Sequence, residues 1–332
     1  MPYLQDPFKT IWLNHFNDGE EPVLFSFVEK LAFVKHKKLP VYFNIGKTNT
    51  KGIDYKLSSK ILDDYKNKIF IIYDVQKAEV ESLHDNNKLS YYKIQQYPGY
   101  ICGLSNHKNL NDYMLKELSR KSRYKFNSYK RKLESSYNIS YKMYIDDITP
   151  ELYDVLFIKF KTLLKKRFFD KKTINNNLNP DEWSFYKEVS FSMMKNRQAG
   201  IFVVYNGEIP IAITLLNFCN NTMFDVIRTF DIAFAKYRLG TVSIMAQIEW
   251  CINNNIKFLD FSKGYFEYKE RWANKPYWFE YHIYYDRNSF TSKALARFFK
   301  IFFEFKLFLR KKHLTNLIHE IKFILNKKKY AG

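Results

Sequence analysis

Between Thr222 and Trp272 the chain gathers residue types suited to holding phosphate. A strand-like run, Thr222–Phe230, leads into Lys236-Tyr237-Arg238-Leu239-Gly240-Thr241, and a helix-like run follows from Gly240 to Asn254. A glycine-containing turn that feeds a helix N-terminus presents unpaired N–H groups, and the helix dipole adds partial positive charge there. Together they bind phosphate oxygens without needing particular side chains. Lys236 and Arg238 would add charge. The same spacing also fits an ordinary helix start with a glycine for tight packing, and spacing alone leaves both readings open. Elsewhere, Gly46-Lys47-Thr48 follows a strand and mimics the end of a P-loop, but Val41 stands where that motif needs its first glycine. No H-E-x-x-H, G-x-S-x-G or G-x-G-x-x-G occurs, and the histidines form no i,i+4 pair. Metal-assisted hydrolysis, serine hydrolysis and dinucleotide redox chemistry therefore have no visible basis, and no metal site is expected.

The elements around this region divide into three expected parts: an N-terminal α/β lobe over 1–105, a main domain over 106–288 and a tail over 289–332. In the lobe, Pro40–Ile45 and Lys68–Asp74 read as strands rich in β-branched and aromatic residues. Phe27, Leu31 and Val34 predict a helix over Phe25–Lys35. Residues 95–99 read as a turn. A long helix is expected from Leu110, capped by Asn111 or Asp112, with Tyr113, Leu115, Leu118, Tyr124 and Leu133 as its apolar face. Its remaining surface is crowded with Arg120, Lys121, Arg123, Lys125, Lys130, Arg131 and Lys132. A strand over Ile139–Ile145 follows. Pro150 and Pro180 each open a helix at a position where the missing N–H costs little. Asn206-Gly207 marks a two-residue hairpin between strands 200–205 and 208–218. After the Gly240 helix come a strand over Ile256–Phe261, a helical turn over Glu267–Trp272 and a last strand over Trp278–Tyr285.

Three segments carry a resemblance. Phe230-Asp231-Ile232-Ala233-Phe234-Ala235-Lys236-Tyr237-Arg238-Leu239-Gly240 resembles the Y-D…Y-S-P-G turn of CelD-type GNAT proteins, the branch associated with cellulose and surface-polysaccharide biosynthesis. Asp260-Phe261-Ser262-Lys263-Gly264, followed by Tyr268-Lys269 and Trp272, resembles their D-F-G-x-G…Y-K-x-x-W ending. Arg120–Glu134 resembles the basic helix before their acetyltransferase core. The segments occur in the family order across about 110–285. Arg238-Leu239 replaces Ser-Pro, and Ser262 replaces a glycine.

The resemblance implies an α/β (α+β) fold, a bent mixed sheet with splayed central strands flanked by helices. The N-terminal lobe would be a degenerate second copy, as in the related Fem-like transferases. It further implies an acyl-CoA, acetyl-CoA in the simplest case, as cosubstrate. Its phosphates would sit on Lys236, Arg238, Leu239, Gly240 and Thr241. Its pantetheine would lie as a pseudo-strand along Thr222–Phe230, at Val226 and Arg228. The chemistry is attack of a neutral amine on a thioester, which needs a base for the amine and an acid for the sulfur. Asp231 is the first expectation for base or amine anchor, with Asp260 as the alternative. Tyr268 is the expected acid, Tyr265 is a second nearby phenol, and Lys269 is expected beside an acidic substrate or phosphate. Each has a bland alternative: a turn carboxylate for Asp231, an ion pair with Glu267 or Glu270 for Lys269, a core ring for Trp272.

Lys and Arg number 54 against 34 Asp and Glu, which favours anionic partners. Much of that charge is spread over solvated faces, so nucleic acid is not selected by it. The three cysteines, Cys102, Cys219 and Cys251, lie far apart and suit a reducing compartment. The start of the chain lacks a signal-peptide pattern, and no run of about 18 apolar residues occurs. These points predict a cytoplasmic protein. In the tail, Phe298, Phe302, Phe305 and Leu309 form an apolar stripe among Lys293, Arg297, Lys300 and Lys311. Such a helix either lies on an anionic membrane surface or packs its rings on the core or on a second subunit. The leading reading is an acyl-CoA-dependent N-acyltransferase acting on an amine, for example a sugar intermediate of surface-polysaccharide synthesis. Two alternatives stand beside it. One is a Fem-like transferase using aminoacyl-tRNA, and the other a non-enzymatic nucleic-acid- or membrane-binding protein on a decayed acyltransferase scaffold.

Overall fold

The computed structural model describes residues 2–76 and 88–312, which form two compact units. The first comprises 2–99 (without 77–87), 263–265 and 277–312; the second comprises 100–262 and 266–276. The last strand and the helix after it thus pack with the N-terminal residues, whereas the sequence grouped 106–288 together. The part of the expected tail over 313–332 lies outside the described residues.

The first unit opens with α1 (Phe8–Phe16), then β1 (Val23–Leu24), β2 (Val28–Glu29), β3 (Ala32–Lys35), β4 (Val41–Asn44), β5 (Lys56–Leu57) and β6 (Ile69–Gln76). Strand β7 (Leu89–Gly103) begins in this unit and ends in the second. The helix expected over Phe25–Lys35 is instead β2, a tight turn and β3. Lys30 takes φ 56° in the left-handed region, which no helix tolerates. Phe25, Phe27, Leu31 and Phe33 are all buried. Phe25 and Phe27 each lie 4.6 Å from the Phe70 ring, so ring packing from β6 overrides the helical spacing.

The second unit contains α2 (Leu110–Glu117), α3 (Arg120–Ser136), β8 (Ile139–Tyr144), α4 (Pro150–Asp170), α5 (Pro180–Met194), β9 (Ala199–Asn206), β10 (Ile209–Cys219), β11 (Thr222–Phe230), α6 (Leu239–Asn253), β12 (Phe258–Lys263) and α7 (Glu267–Trp272). Its strands run β12-β11-β10-β9-β8, antiparallel except for the parallel pair β11–β12. Helix α4 packs on β10 and β11, α5 on β9, and α6 on β10 and β11, with α2 and α3 against α6.

The long helix expected from Leu110 is two helices. Leu118 is extended, and Ser119 restarts the helix by accepting the Ser122 N–H at 3.2 Å. Asn109, not Asn111 or Asp112, caps α2. Tyr113, Leu118 and Leu133 are buried as expected, but Leu115 and Tyr124 are exposed, and Phe126 takes the core position. The hairpin loop is Gly207-Glu208, one residue later than expected. Asn206 stays in strand pairing, and Gly207 supplies the positive φ of 58°.

The chain then returns to the first unit with β13 (Lys275–Asp286), antiparallel to β6, and α8 (Phe290–Lys311). Helix α8 buries Ala296 and Phe303, the latter 5.1 Å from the Tyr281 ring and 5.8 Å from Tyr73. Phe298, Ile301, Phe302, Phe305 and Phe308 remain exposed along it. Among the described residues no helix is long and apolar enough to cross a membrane.

Candidate active site

Strand β11 builds the site by leaving one neighbour while keeping the other. It pairs with β12 at Thr222–Phe258, Met223–Leu259 and Phe224–Asp260. On its other side, Leu215 faces Ile227 and Leu216 faces Asp225, so Val226 is an extra residue in a β-bulge. A bulge bends its strand and sharpens its twist. Pairing with β12 stops at Phe224, two residues before the bulged Val226, and β11 continues to Phe230 along β10 alone. The main chain of 225–230 therefore has an edge that β12 does not occupy. One group on it is partnered: the Arg228 carbonyl accepts from Arg167 Nη1 at 3.2 Å.

At the end of β11, Asp231 caps a 3-10 helix over Ile232–Tyr237 by accepting the Ala233 N–H at 3.0 Å. Its Oδ1 also lies 3.6 Å from Lys166 Nζ. Arg238 takes φ 54° and turns the chain into α6, which has no side-chain cap. The Thr241 and Val242 N–H groups return to the Arg238 carbonyl, which leaves those of Leu239 and Gly240 facing outward. Lys236 and Arg238 are exposed beside them. A Cβ on Gly240 would stand 3.0 Å from Cε1 of Phe230, so the glycine lets helix and strand approach closely.

The other expected residues lie at the parting of the strands. Asp260 is buried at the last paired position, and its Oδ1 accepts the Ser262 N–H at 2.6 Å. Ser262 itself has φ 58° where the resembled motif has glycine. Lys269 is buried and donates to the Ser262 carbonyl at 3.3 Å. Glu267 pairs with Arg271, and Glu270 accepts from the Tyr100 hydroxyl at 2.7 Å. Trp272 is a core ring stacked 4.9 Å from Phe126. Tyr268 packs 6.0 Å from Phe261, and burial, with Asp225 adding to it, pushes its phenol well above the ordinary value. Tyr265 is half exposed and belongs to the first unit.

A buried polar network at this point escaped the sequence reading. Arg228 donates to Asp225 Oδ2 at 2.7 Å and to Gln247 Oε1 at 2.8 Å. Gln247 in turn donates to Thr214 Oγ1 at 3.0 Å and Ser243 Oγ at 3.2 Å. The Arg228 guanidinium lies 5.6 Å from the Phe261 ring and 5.8 Å from Tyr268, so it spans the gap between β11 and β12. Arg167 enters from α4 and stacks 4.2 Å from the Phe230 ring. A signal existed. Asp225 and Arg228 place opposite charges in a largely apolar strand, and Ser243 and Gln247 interrupt the apolar face of α6.

Residues 120–270 match the model of a family described as an acetyltransferase (GNAT) domain. No curated protein matches the sequence. Among solved structures, the chain is similar to FemX, with a TM-score of 0.53 and 12% identity over 81% of this chain and 86% of that one. It is similar to L-PGS from Bacillus licheniformis, with a TM-score of 0.51 and 12% identity over 89% and 91%. A conserved protein of unknown function from Bacteroides thetaiotaomicron VPI-5482 gives 0.51 and 10% over 85% and 90%. The fold is a mixed α/β, GNAT-like one with helices flanking a mixed sheet, and the family match supports acyl transfer as the general chemistry.

Proposed function

We propose that the chain is an acyl-CoA-dependent N-acyltransferase of the CelD-type branch. It would transfer an acyl group, acetyl in the simplest case, to an amine such as an amino-sugar intermediate of surface-polysaccharide synthesis. The observation that carries this reading is the bulged, half-vacated edge of β11 running into the uncapped N-terminus of α6. An extended pantetheine arm fits the strand edge by main-chain hydrogen bonding at Val226 and Arg228. The N–H groups of Leu239 and Gly240, with Lys236, Arg238 and the Thr241 hydroxyl, fit phosphate oxygens. An acyl-CoA bound there would supply an activated thioester carbonyl. Asp231 takes the proton that the amine gives up as the C–N bond forms and the C–S bond breaks. Tyr268, kept protonated by burial, gives a proton to the sulfur. Asp260 is the alternative base, and Lys269 anchors an acidic part of the acceptor.

The deciding experiment is thermal melting with CoA or acetyl-CoA. At about 100 times its dissociation constant a ligand stabilises by about 2.7 kcal/mol. Gly240→Val should abolish the shift by pushing Phe230 and closing the backbone approach. Absence of any shift at millimolar CoA sinks the reading.

One observation favours the Fem-like alternative: Arg120, Lys121, Lys125, Arg131 and Lys132 of α3 are exposed together, as a phosphate-backbone contact requires. Transfer from aminoacyl-tRNA, with no thiol released from acetyl-CoA, would select it. The exposed aromatic row of α8 supports peripheral attachment to an anionic membrane surface.

A further inference from the structure

Two arginines of the second unit hold hydrogen-bond donors that no group among the described residues takes up. Arg228 is 91% buried by its side chain, which is 9% exposed, yet its Nη1 has no partner. Arg167 Nε is likewise buried and unpartnered, as is the Ser262 hydroxyl. Leaving such a group unsatisfied costs about 1–3 kcal/mol, more for a charged one. Folded proteins keep few of them without a reason.

The charges point the same way. Arg167 and Arg228 bring two positive charges, and Asp225 answers one of them. Tyr268 stays neutral because burial raises its phenol. Burial and the neighbouring Arg228 also push the Arg167 guanidinium down, although Tyr268 opposes this, so two guanidiniums sit close in a dry place. The unpartnered N–H groups of the two guanidiniums suit an anion with two acceptor oxygens. A carboxylate has that charge and geometry, and guanidinium N–H groups match it.

We propose that the Arg228 and Arg167 guanidiniums, beside the gap where β11 parts from β12, bind a carboxylate of the acceptor, so that the acceptor is an amine bearing a carboxylate group. The word acceptor rests on the acyl-transfer reading; the carboxylate site does not. Arg228 is the fixed half of the clamp, held by Asp225 and Gln247. Arg167 is the other half, donating to the Arg228 carbonyl and stacked on the Phe230 ring. The ring of Tyr268, on the short helix α7, lies 5.8 Å from the Arg228 guanidinium.

Thermal melting of the full chain tests this with propionate, propionamide and inorganic phosphate at matched ionic strength. Propionate at about ten times its dissociation constant should raise Tm by about 3–6 °C. Propionamide, the neutral isostere, should not. Arg167→Gln keeps a donor for the Arg228 carbonyl, and it should remove the propionate shift while leaving the CoA shift in place. If that variant unfolds, Arg167→Lys replaces it and should weaken the shift, because an ammonium lacks the fork. In turnover with acetyl-CoA, the variant should raise KM for carboxylate-bearing amines about 10–100-fold and leave amines without a carboxylate unchanged. Equal shifts from propionate and propionamide overturn the proposal. So does a propionate shift that survives in Arg167→Gln, or a phosphate shift without a propionate one. A propionate shift with no CoA shift keeps the carboxylate site and removes the acyl-CoA reading.

Discussion

Replacing Arg228 by Met should cost the protein more than any other single change in the second unit's polar network. The side chains of Arg228 and Asp225 are 9% and 6% exposed and meet at 2.7 Å. Met fills similar volume but leaves the Asp225 carboxylate without its counter-charge in a dry site. Breaking a buried pair this way costs about 3–5 kcal/mol. Gln247 also loses a donor to its Oε1, worth about 1 kcal/mol. For a unit of this size the sum lowers Tm by roughly 8–24 °C. Adding Asp225→Asn should recover most of the loss, because removing both charges of a buried pair is often close to neutral. Urea melts of the four proteins give the coupling energy directly, in buffer free of carboxylates. A loss under about 1 kcal/mol for Arg228→Met, or a double variant as unstable as the sum of the singles, would refute the account of this pair as buried and mutually dependent.

Asp231→Asn keeps an acceptor for the Ala233 N–H but loses the charge, so turnover should fall about 10²–10⁴-fold with the CoA-dependent Tm shift unchanged; near-normal turnover would leave Asp231 a turn cap and make Asp260 the base. His282 is buried between Tyr55 and Glu280, and burial lowers its pKa while Glu280 pulls the other way. A depressed histidine favours folding in its neutral form, so this contribution is present above about pH 6.5 and is lost as pH falls further. Urea melts at pH 7 and pH 5 should show a smaller difference for His282→Gln than for the parent chain, and equal differences would exclude the role. Combined Phe298→Ser, Phe302→Ser and Phe305→Ser should reduce sedimentation with anionic liposomes and leave Tm alone, since all three rings are exposed; equal binding to neutral vesicles, or no change in the variant, would dismiss membrane attachment.

Strand β11, helix α7 and the starts of α4 and α5 were readable from local cues. Alternation, a terminal glycine turn and the prolines Pro150 and Pro180 act within a few residues. Phe25–Lys35 misled because Phe27, Leu31 and Val34 satisfy a helical period while the rings of β6 decide the outcome from 40 residues away. The long basic segment hid its break because Leu118 looks apolar and helical; only Ser119 as a cap betrays it. Strand β12 starts two residues later than expected because Phe258 N–H and Lys257 N–H both bond the Asn221 carbonyl, a contact between separate segments. At the site, the turn and its glycine were local and visible. The Arg167, Arg228, Gln247 and Asp225 cluster was not, since its members come from α4, β11 and α6 and meet only when the sheet is built. The affiliation of β13 with β6 was hidden for the same reason.

That last pairing gives the nascent chain an unusual order of completion. Ile69 lies opposite Tyr285, about 200 residues further on. A ribosome adding about 5–20 residues per second delivers that partner roughly 10–40 s after β6 has emerged. All of the second unit's strands are made in that interval. The part synthesised later is therefore finished first, and the earlier part waits with Ile69, Phe70, Ile71 and Ile72 unpaired along one edge. Those four residues form an apolar strand held by β4 on one side and open on the other, which is the kind of segment that nascent-chain chaperones shield and that aggregates when translation stalls. A stall between β12 and β13 would thus release a chain with an intact second unit and an open first one.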